Sequence, residues 1–188
     1  NYLHDSHIRF SLKSGAHAIC EKPLVSNPWN IDGLETLETE FGCKVYNILQ
    51  LRLHPSIISL KERVQKELAE TPDKIFDIDL TYLTSRGNWY FTSWKGNEKK
   101  SGGISTNIGV HFFDMICWIF GSLKENKVHL KVPGANAGNL KLKNANVTWF
   151  LSVDHDHLPE ELRLQGQTTF RSISVDGSEI EFSDGFEN

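Results

Sequence analysis

Cysteine is scarce in this chain, and the patterns that would give it a metal-binding or disulfide role are missing. The three cysteines, Cys20, Cys43 and Cys117, lie far apart, and no C-x-x-C pair occurs. Neither a zinc site nor a disulfide framework is therefore indicated. Reduced thiols in a cytoplasmic protein are the simplest interpretation.

Long apolar runs and an excess of basic residues are missing as well. The most apolar run, Val110 to Phe120, is too short to span a bilayer and contains Asp114. The formal net charge of -4 argues against a general nucleic-acid binder, which needs a basic surface to neutralise phosphates. We therefore predict a protein that uses neither a membrane nor a nucleic acid as its partner.

The first part of the chain alternates helical and strand patterns. Residues 3–12 have apolar side chains at helical spacing, and residues 16–20 predict a short buried strand. Ser26-Asn27-Pro28 is typical of a helix start. Residues 44–53 predict a second strand, with leucines on one face and Arg52 on the other. This alternation with short links is typical of a parallel α/β sheet.

After residue 54 strand patterns dominate, although residues 56–70 and 107–120 have the apolar spacing of helices. The strand patterns are residues 76–83, 147–153 and 171–182, the last a hairpin turning at Asp176-Gly177. The glycine- and asparagine-rich residues 133–139 predict a loop. The expected fold class is thus α/β with an α+β second part: the end of a parallel sheet in residues 1–53, and a mostly antiparallel open sheet with a few helices in residues 54–188.

Glu21-Lys22-Pro23 closes the first predicted strand. Ligands bind outside the carboxyl ends of the strands in open α/β sheets, so a lysine there can hold a hydroxyl or a developing alkoxide. Pro23 limits the backbone of Lys22 to extended conformations, which directs its side chain. Spacing alone leaves open whether Lys22 binds a ligand or is a surface lysine.

The stretch G-G-I-S-T-N-I-G-V-H, residues 102–111, leads into the apolar helix. Its glycines allow a sharp turn or a close approach to a ligand. Asn107 and His111 are four residues apart and would share one helix face. His111 could act as a general base, and Asn107 could orient the imidazole or the substrate. The pattern equally fits a core helix whose histidine bonds to a backbone carbonyl.

Further polar candidates are Arg52 and the loop R-G-N-W-Y-F-T-S-W-K-G, residues 86–96. Arginine and lysine clamp phosphates or carboxylates, and aromatic rings can stack on a base or a sugar, although such rings also simply pack a loop. Residues 154–157, D-H-D-H, do not favour a metal site, because neighbouring side chains at a strand end point to alternate faces. We predict no metal site.

In this order, the E-K-P strand end and the G-G-x5-G-x-H helix start resemble the Gfo/Idh/MocA family of NAD(P)-dependent sugar oxidoreductases. The resemblance covers essentially the whole chain and includes I-L-Q-L-R-L-H-P, W-F-L-S-V-D and F-R-S-I-S-V-D-G-S-E-I-E-F-S-D-G-F. These motifs look like the branch that oxidises UDP-N-acetylglucosaminuronic acid at its 3-hydroxyl in O-antigen (lipopolysaccharide) biosynthesis. The resemblance implies a Rossmann-type domain ending in residues 1–53, NAD (NADP not being excluded), a UDP-sugar substrate and a homo-oligomer formed through the open sheet.

The family also implies roles for single residues. Lys22 would lie beside the nicotinamide and the reacting hydroxyl, and His111 would take the hydroxyl proton, although which of the two accepts it stays open. Many members carry Asp where this chain has Asn107, which would position the sugar ring. The other expected cofactor-binding residues are Glu21, Pro23, Asn1 and His4. The other expected substrate-binding residues are Arg52, Arg86, Tyr90 and Lys95.

The cofactor fingerprint of the family, G-x-G-x-x-G, does not occur in these 188 residues. The resemblance therefore implies a chain truncated at both ends, which keeps the site without the loop that binds pyrophosphate. Rival interpretations are a sugar-binding and oligomerisation module without chemistry, a family member for another sugar, and a metal-assisted hydrolase built on residues 154–157.

We accordingly predict that the 188-residue polypeptide binds NADH weakly, because the backbone amides that would hold the pyrophosphate are missing from it. Titrating the polypeptide with NADH while following the nucleotide fluorescence tests this expectation. Tight, saturable binding would contradict it.

Overall fold

The computed structural model describes residues 1–180 and residue 182, and the chain forms two compact units. The predicted division after residue 53 concerns the domains of a larger fold and stays a prediction. The first unit consists of Asn1–Leu49 and Tyr90–His111, and the second of Gln50–Trp89 and Phe112–Asn188.

The elements of the first segment are α1 (His4–Lys13), β1 (Ala18–Cys20), α2 (Asn30–Phe41) and β2 (Val45–Asn47). Ile8 and Leu12 of α1 are buried, as their helical spacing predicts. α2 begins at Asn30, two residues beyond Pro28, and the Asn27 side chain accepts a hydrogen bond from the Trp29 amide at 3.1 Å in the turn that precedes the helix. β1 and β2 are parallel, so the α/β rhythm of this segment is confirmed.

The strand predicted over residues 44–53 is much shorter than expected. β1 offers partners only as far as Cys20, whose carbonyl accepts from the Ile48 amide at 3.0 Å just beyond the last paired residue of β2. Gln50–Leu53 then forms a tight 3₁₀ turn in which Leu51 is buried and Leu53 is exposed. The alternating leucines therefore do not mark a strand face, and the prediction was wrong from Ile48 onward.

The elements of the middle of the chain are α3 (Pro55–Glu70), β3 (Phe76–Thr84), α4 (Asn88–Thr92), α5 (Glu98–Ser101), a π-helical turn (Ser105–Gly109) and α6 (Val110–Phe120). The His54 ring accepts a hydrogen bond from the Ser56 amide at 3.2 Å and so caps α3. A helix was predicted to begin at Asn107. In the structure Asn107 lies in the π-helical turn, and regular α-helix begins at Val110.

A six-stranded sheet lies in the second unit, in the order β4-β5-β6-β3-β7-β8. Its remaining elements are β4 (Leu123–Val132), β5 (Ala135–Leu142), β6 (Ala145–Ser152), α7 (Glu160–Leu164), β7 (Thr169–Val175) and β8 (Ser178–Glu179). Among the described residues of this sheet, β3 and β6 pair in parallel and the other neighbouring strands are antiparallel. The predicted fold class, with its mostly antiparallel sheet and a few helices, is confirmed.

The loop predicted over residues 133–139 is wrong, because β5 already begins at Ala135. The small residues serve close packing here. A Cβ on Gly138 would lie 2.8 Å from Cζ2 of Trp149 and would also clash with the carbonyl oxygen of Lys127. Glycine therefore stands in this strand because two neighbouring strands approach it too closely for a side chain.

The predicted hairpin at Asp176-Gly177 is confirmed for β7 and β8. Both turn residues have positive φ, 51° and 76°, as this two-residue turn requires. Residue 181 and residues 183–186 of the predicted motif lie outside the described residues.

One helical stretch of the described residues, Glu98–Phe120, is long and apolar enough to cross a membrane by length and composition alone. Of its most apolar window, 39% is buried inside the protein. A core helix meets the same criteria, so this stretch is weak evidence for a membrane span.

The packing of the sheet predicts that Leu151→Ala lowers the free energy of unfolding by about 2–5 kcal/mol, because the leucine is fully buried and its loss leaves a cavity. Urea denaturation measures the change. Leu164→Ala is the matched control, since Leu164 is 82% exposed and should change stability by less than about 0.5 kcal/mol. Equal effects of the two substitutions would contradict the structure of β6.

Candidate active site

Lys22 lies just beyond the carboxyl end of β1, in a segment that is held in place by its neighbours. The carbonyl of Cys20 accepts from the side-chain amide of Asn47 at 3.0 Å, which anchors the strand end to β2. The Lys22 Nζ donates to the main-chain carbonyl of Asn107 at 2.6 Å. The two motifs singled out in the sequence are therefore in contact within the first unit.

His4 also fixes the E-K-P segment. Its Nδ1 lies 2.7 Å from the carbonyl oxygen of Pro23. A carbonyl only accepts, so His4 carries the proton on Nδ1 and donates it. The Glu21 carboxylate is exposed and accepts from the Lys22 amide at 3.3 Å. The predicted cofactor-binding roles of these residues stay predictions; the structure gives His4 a clear part in holding the segment.

Asn107 is half-buried in the π-helical turn, and its side chain is held by Asn1. The Asn1 Nδ2 donates to Asn107 Oδ1 at 2.9 Å and to the main-chain carbonyl of Ser101 at 3.1 Å. Asn1, Lys22 and Asn107 therefore form one connected group of hydrogen-bonding residues.

The backbone conformation ahead of this turn explains why two glycines occur there. Gly102 and Gly103 have φ of 81° and 76°, where other residues are strained. A Cβ on Gly102 would also lie 2.6 Å from Cγ2 of Thr106. Ser101 is fully buried, and its hydroxyl accepts from the Gly103 amide at 3.0 Å. The bend thus brings the Ser101 carbonyl and the π-helical turn next to Asn1.

His111 is half-buried in the first turn of α6, and it belongs to the same unit as Lys22 and Asn107. The sequence spacing assumed a regular helix between Asn107 and His111. Because residues 105–109 form a wider turn, the rule for residues four apart does not describe this pair. The role of His111 as a base stays a prediction.

Tyr90 and Lys95 also belong to the first unit. Tyr90 is only 2% exposed, and its ring packs edge-on against Phe91. Lys95 is half-buried, with its Nζ 5.9 Å from the ring centre of Trp94. Their expected substrate-binding roles stay predictions, and the burial of Tyr90 is typical of a residue that packs the loop.

Arg52 and Arg86 belong to the second unit. The guanidinium of Arg52 forms a two-pronged ion pair with the Asp114 carboxylate, in which Nε lies 2.7 Å from Oδ2. Arg86 is exposed, and its amide donates to the Val153 carbonyl at 3.3 Å. Both stay predicted substrate-binding residues, although the charge of Arg52 is already balanced within the protein.

The pKa values of Arg52 and of the neighbouring Lys61 are both shifted. The hydrogen bond from Arg52 to Asp114 raises the pKa of the guanidinium. Burial lowers the pKa of Lys61, and the positive charge of Arg52 adds to this effect. The Lys61 Nζ lies 3.5 Å from the centre of the Trp118 ring, so the aromatic face compensates the lysine for lost hydration.

Near the E-K-P segment, burial raises the pKa of the Cys20 thiol, and the neighbouring Glu21 carboxylate raises it further. The thiol therefore stays protonated at neutral pH and is not suited to act as a nucleophile. Cys20 is therefore a buried structural residue at the end of β1.

Within the described residues, no group of three or more His, Cys, Asp or Glu side chains could hold a metal ion. In the D-H-D-H stretch, the Asp154 carboxylate accepts from the Asp156 amide at 3.0 Å. His157 Nδ1 lies 2.7 Å from the hydroxyl of Ser152. The Asp154 side chain thus caps the short turn that follows it.

Sequence reasoning missed two contributions to these arrangements. Ser101, whose carbonyl accepts a hydrogen bond from Asn1, lies directly ahead of the glycine pair and was not singled out. Asp114 was read only as an interruption of an apolar run, because its partner Arg52 is 62 residues away and no local spacing joins them. A carboxylate on an otherwise apolar helix was the one available signal, since such a group needs a partner.

Comparison with known proteins defines the class first. Residues 73–158 match the model of the oxidoreductase family Gfo/Idh/MocA, C-terminal alpha/beta domain. The family resemblance that the motifs predicted is confirmed, and this segment matches that family's C-terminal α/β domain.

Particular relatives follow. The WlbA (WbpB) dehydrogenase from Thermus thermophilus, solved in complex with NAD and alpha-ketoglutarate, is 52% identical to this chain, with a TM-score of 0.92. The comparison covers 99% of this chain and 59% of that chain. The structure of the same dehydrogenase in complex with NAD and UDP-GlcNAcA is 51% identical, also with a TM-score of 0.92. That comparison covers 98% of this chain and 59% of the Thermus chain. YteT of Bacillus subtilis is 27% identical over 126 residues, which are 64% of this chain and 29% of YteT. The chain thus spans somewhat more than half of the Thermus chain.

The geometry of Arg52 predicts that Asp114→Asn lowers the free energy of unfolding by about 1–2 kcal/mol at neutral pH, because it removes a charge-assisted, partly buried pair of hydrogen bonds. Urea denaturation at low salt measures it. Glu125→Gln is the matched control: its pair with Lys141 is exposed, so we expect no measurable change. A larger loss for Glu125→Gln would contradict the assignment.

Proposed function

We propose that the protein containing this chain is an NAD-dependent dehydrogenase that oxidises the 3-hydroxyl of a UDP-linked N-acetyl-hexosaminuronic acid. The proposal is carried by the 51% identity, over 98% of this chain, to the Thermus dehydrogenase that binds NAD and UDP-GlcNAcA. The contact between Lys22 and Asn107 supports it, because it joins the two motifs to which the chemistry is assigned.

Oxidation of an alcohol to a ketone removes a hydride from the carbon and a proton from the oxygen. Bound NAD supplies the hydride acceptor. In our proposal His111 takes the proton, as a neutral imidazole can, and the Lys22 ammonium donates a hydrogen bond to the oxygen as negative charge develops on it. Because the Lys22 Nζ already bonds to the Asn107 carbonyl, its position is set before a substrate arrives.

The residues around Lys22 fit a polar ligand at the carboxyl end of β1. Asn1, His4, Glu21, Lys22 and Pro23 are the proposed cofactor-binding residues. The hydrogen bonds from His4 to the Pro23 carbonyl and from Asn1 to Asn107 support this arrangement. Asn107, Arg52, Arg86, Tyr90 and Lys95 are the proposed substrate-binding residues. Arg52 would have to share its charge between Asp114 and a substrate anion.

The wider setting is also part of the proposal. We propose a cytoplasmic enzyme of O-antigen sugar biosynthesis that acts without a membrane or nucleic-acid partner, with NADP as an alternative to NAD. We further propose a homo-oligomer formed through the open sheet. Every residue of β4 is exposed, and an open cavity of about 480 Å³ on this sheet has charged lining residues such as Glu125 and Lys141.

Single substitutions of Lys22 and His111 to alanine test the chemistry. We expect each to lower kcat by about 10²–10⁴-fold in the whole enzyme, because general-base and oxyanion contributions have this size. NADH formation from UDP-GlcNAcA is the measurement.

Lys13→Ala and His7→Ala are the matched controls, because both side chains are exposed on α1 of the same unit. Full activity of both test variants would overturn the catalytic assignment. Sugar binding by the wild type without any NADH formation would favour the non-catalytic sugar-binding and oligomerisation module, and activity only on a different sugar would correct the substrate.

A further inference from the structure

The orientation of the Asn1 side chain is decided by Ser101. The main-chain carbonyl of Ser101 can only accept a hydrogen bond, so the Asn1 atom 3.1 Å from it is the amide nitrogen. Ser101 is fully buried, and its hydroxyl donates to the Asn97 carbonyl at 3.1 Å while accepting from Gly103. The carbonyl that sets Asn1 therefore belongs to a fixed part of the chain.

The orientation of Asn107 follows from that of Asn1. The same Asn1 nitrogen lies 2.9 Å from the Asn107 side chain and needs an acceptor there, so Asn107 presents Oδ1 to Asn1. The Asn107 amide is planar, and its nitrogen consequently faces away from Asn1. A flipped Asn107 would place two NH₂ groups against each other.

Lys22 adds a second donor at the same residue. Its Nζ donates to the main-chain carbonyl of Asn107 at 2.6 Å, so the ammonium group lies against Asn107. The Asn107 amide and the Lys22 ammonium are then both sources of N–H groups. Such a pair suits an oxygen atom that accepts hydrogen bonds and gains negative charge.

We propose that Asn1 is a positioning residue, which locks the Asn107 amide so that its NH₂ group is presented to an oxygen atom of the sugar beside Lys22. This inference rests on the proposed function. It makes Asn107 selective for a substrate group that accepts a hydrogen bond, and it makes Asn1 act through Asn107. The chain from Ser101 through Asn1 to Asn107 sets the polarity of this part of the site.

An aspartate at position 107 would reverse that polarity. One carboxylate oxygen would still accept from Asn1, whereas the other would present an acceptor where Asn107 presents a donor. Asn107→Asp therefore keeps the positioning hydrogen bond but loses the donor. We expect it to lower kcat/KM for UDP-GlcNAcA by about 10–100-fold and to leave the Kd for NADH unchanged.

A double-mutant cycle with Asn1→Ala and Asn107→Ala tests whether Asn1 acts through Asn107. In the whole enzyme, Asn1→Ala should lower kcat/KM for the sugar by about 10-fold when Asn107 is present. It should have no further effect once Asn107 is alanine. All four proteins are compared at saturating NAD, so that a contribution of Asn1 to cofactor binding does not enter the cycle.

Two results would overturn the proposal. Additive losses of kcat/KM for the sugar at saturating NAD would mean that Asn1 does not act through Asn107. An unchanged kcat/KM in Asn1→Ala would mean that the Asn107 amide needs no positioning. Melting temperatures of all variants show whether a loss reflects unfolding, and Asn1→Asp serves as a second variant, since its carboxylate should flip Asn107 and cost more activity than alanine.

A readout without turnover separates this proposal from the proposed function. In ¹⁵N-labelled protein, the Asn1 side-chain NH₂ signals should shift and exchange faster in Asn107→Ala, and should stay protected in Asn107→Asp. The wild type could fail to oxidise UDP-GlcNAcA while the Asn1 signals change as expected. That result would overturn the proposed function and would still support the positioning of Asn107 by Asn1. Unchanged Asn1 signals in Asn107→Ala would overturn the positioning itself.

Discussion

The hydrogen bond from the Lys22 ammonium to the Asn107 carbonyl joins segments that are 85 residues apart and forms the centre of the candidate site. Three local features make it possible. β2 anchors the strand that ends before Lys22, the glycine pair bends the chain ahead of Asn107, and the π-helical turn interrupts regular helix where the carbonyl is needed. π-Helical turns recur at functional sites because they redirect backbone groups in this way.

The fold could be predicted where burial follows a simple period. α3 and β3 bury the residues that their helical and alternating patterns indicate, because one face of each packs on a core. The prediction failed where a sequence pattern that is typical of one structure arose for a different reason. The leucines of residues 49–53 alternate without a partner strand long enough to pair with them, and Gly138 reflects close contact between strands rather than flexibility.

The sequence pointed to some residues of the candidate site but not to their contacts. Lys22 and Asn107 could be singled out because each stands at an element boundary, where strand ends and helix starts expose polar groups. The pairing of Arg52 with Asp114 could not, since partners far apart in sequence leave no local period. The burial of Tyr90 was equally hidden, because a tyrosine in an aromatic loop fits both packing and binding.

The exposed strand β4 has a consequence for the solution behaviour of the chain. It is the last strand on its side of the described sheet, so its outer row of backbone amides and carbonyls can template another strand. Lys124, Lys127 and Lys131 are distributed along it. Their like charges disfavour edge-to-edge pairing with a second copy, which leaves the face of the sheet, and not this edge, for the proposed oligomer.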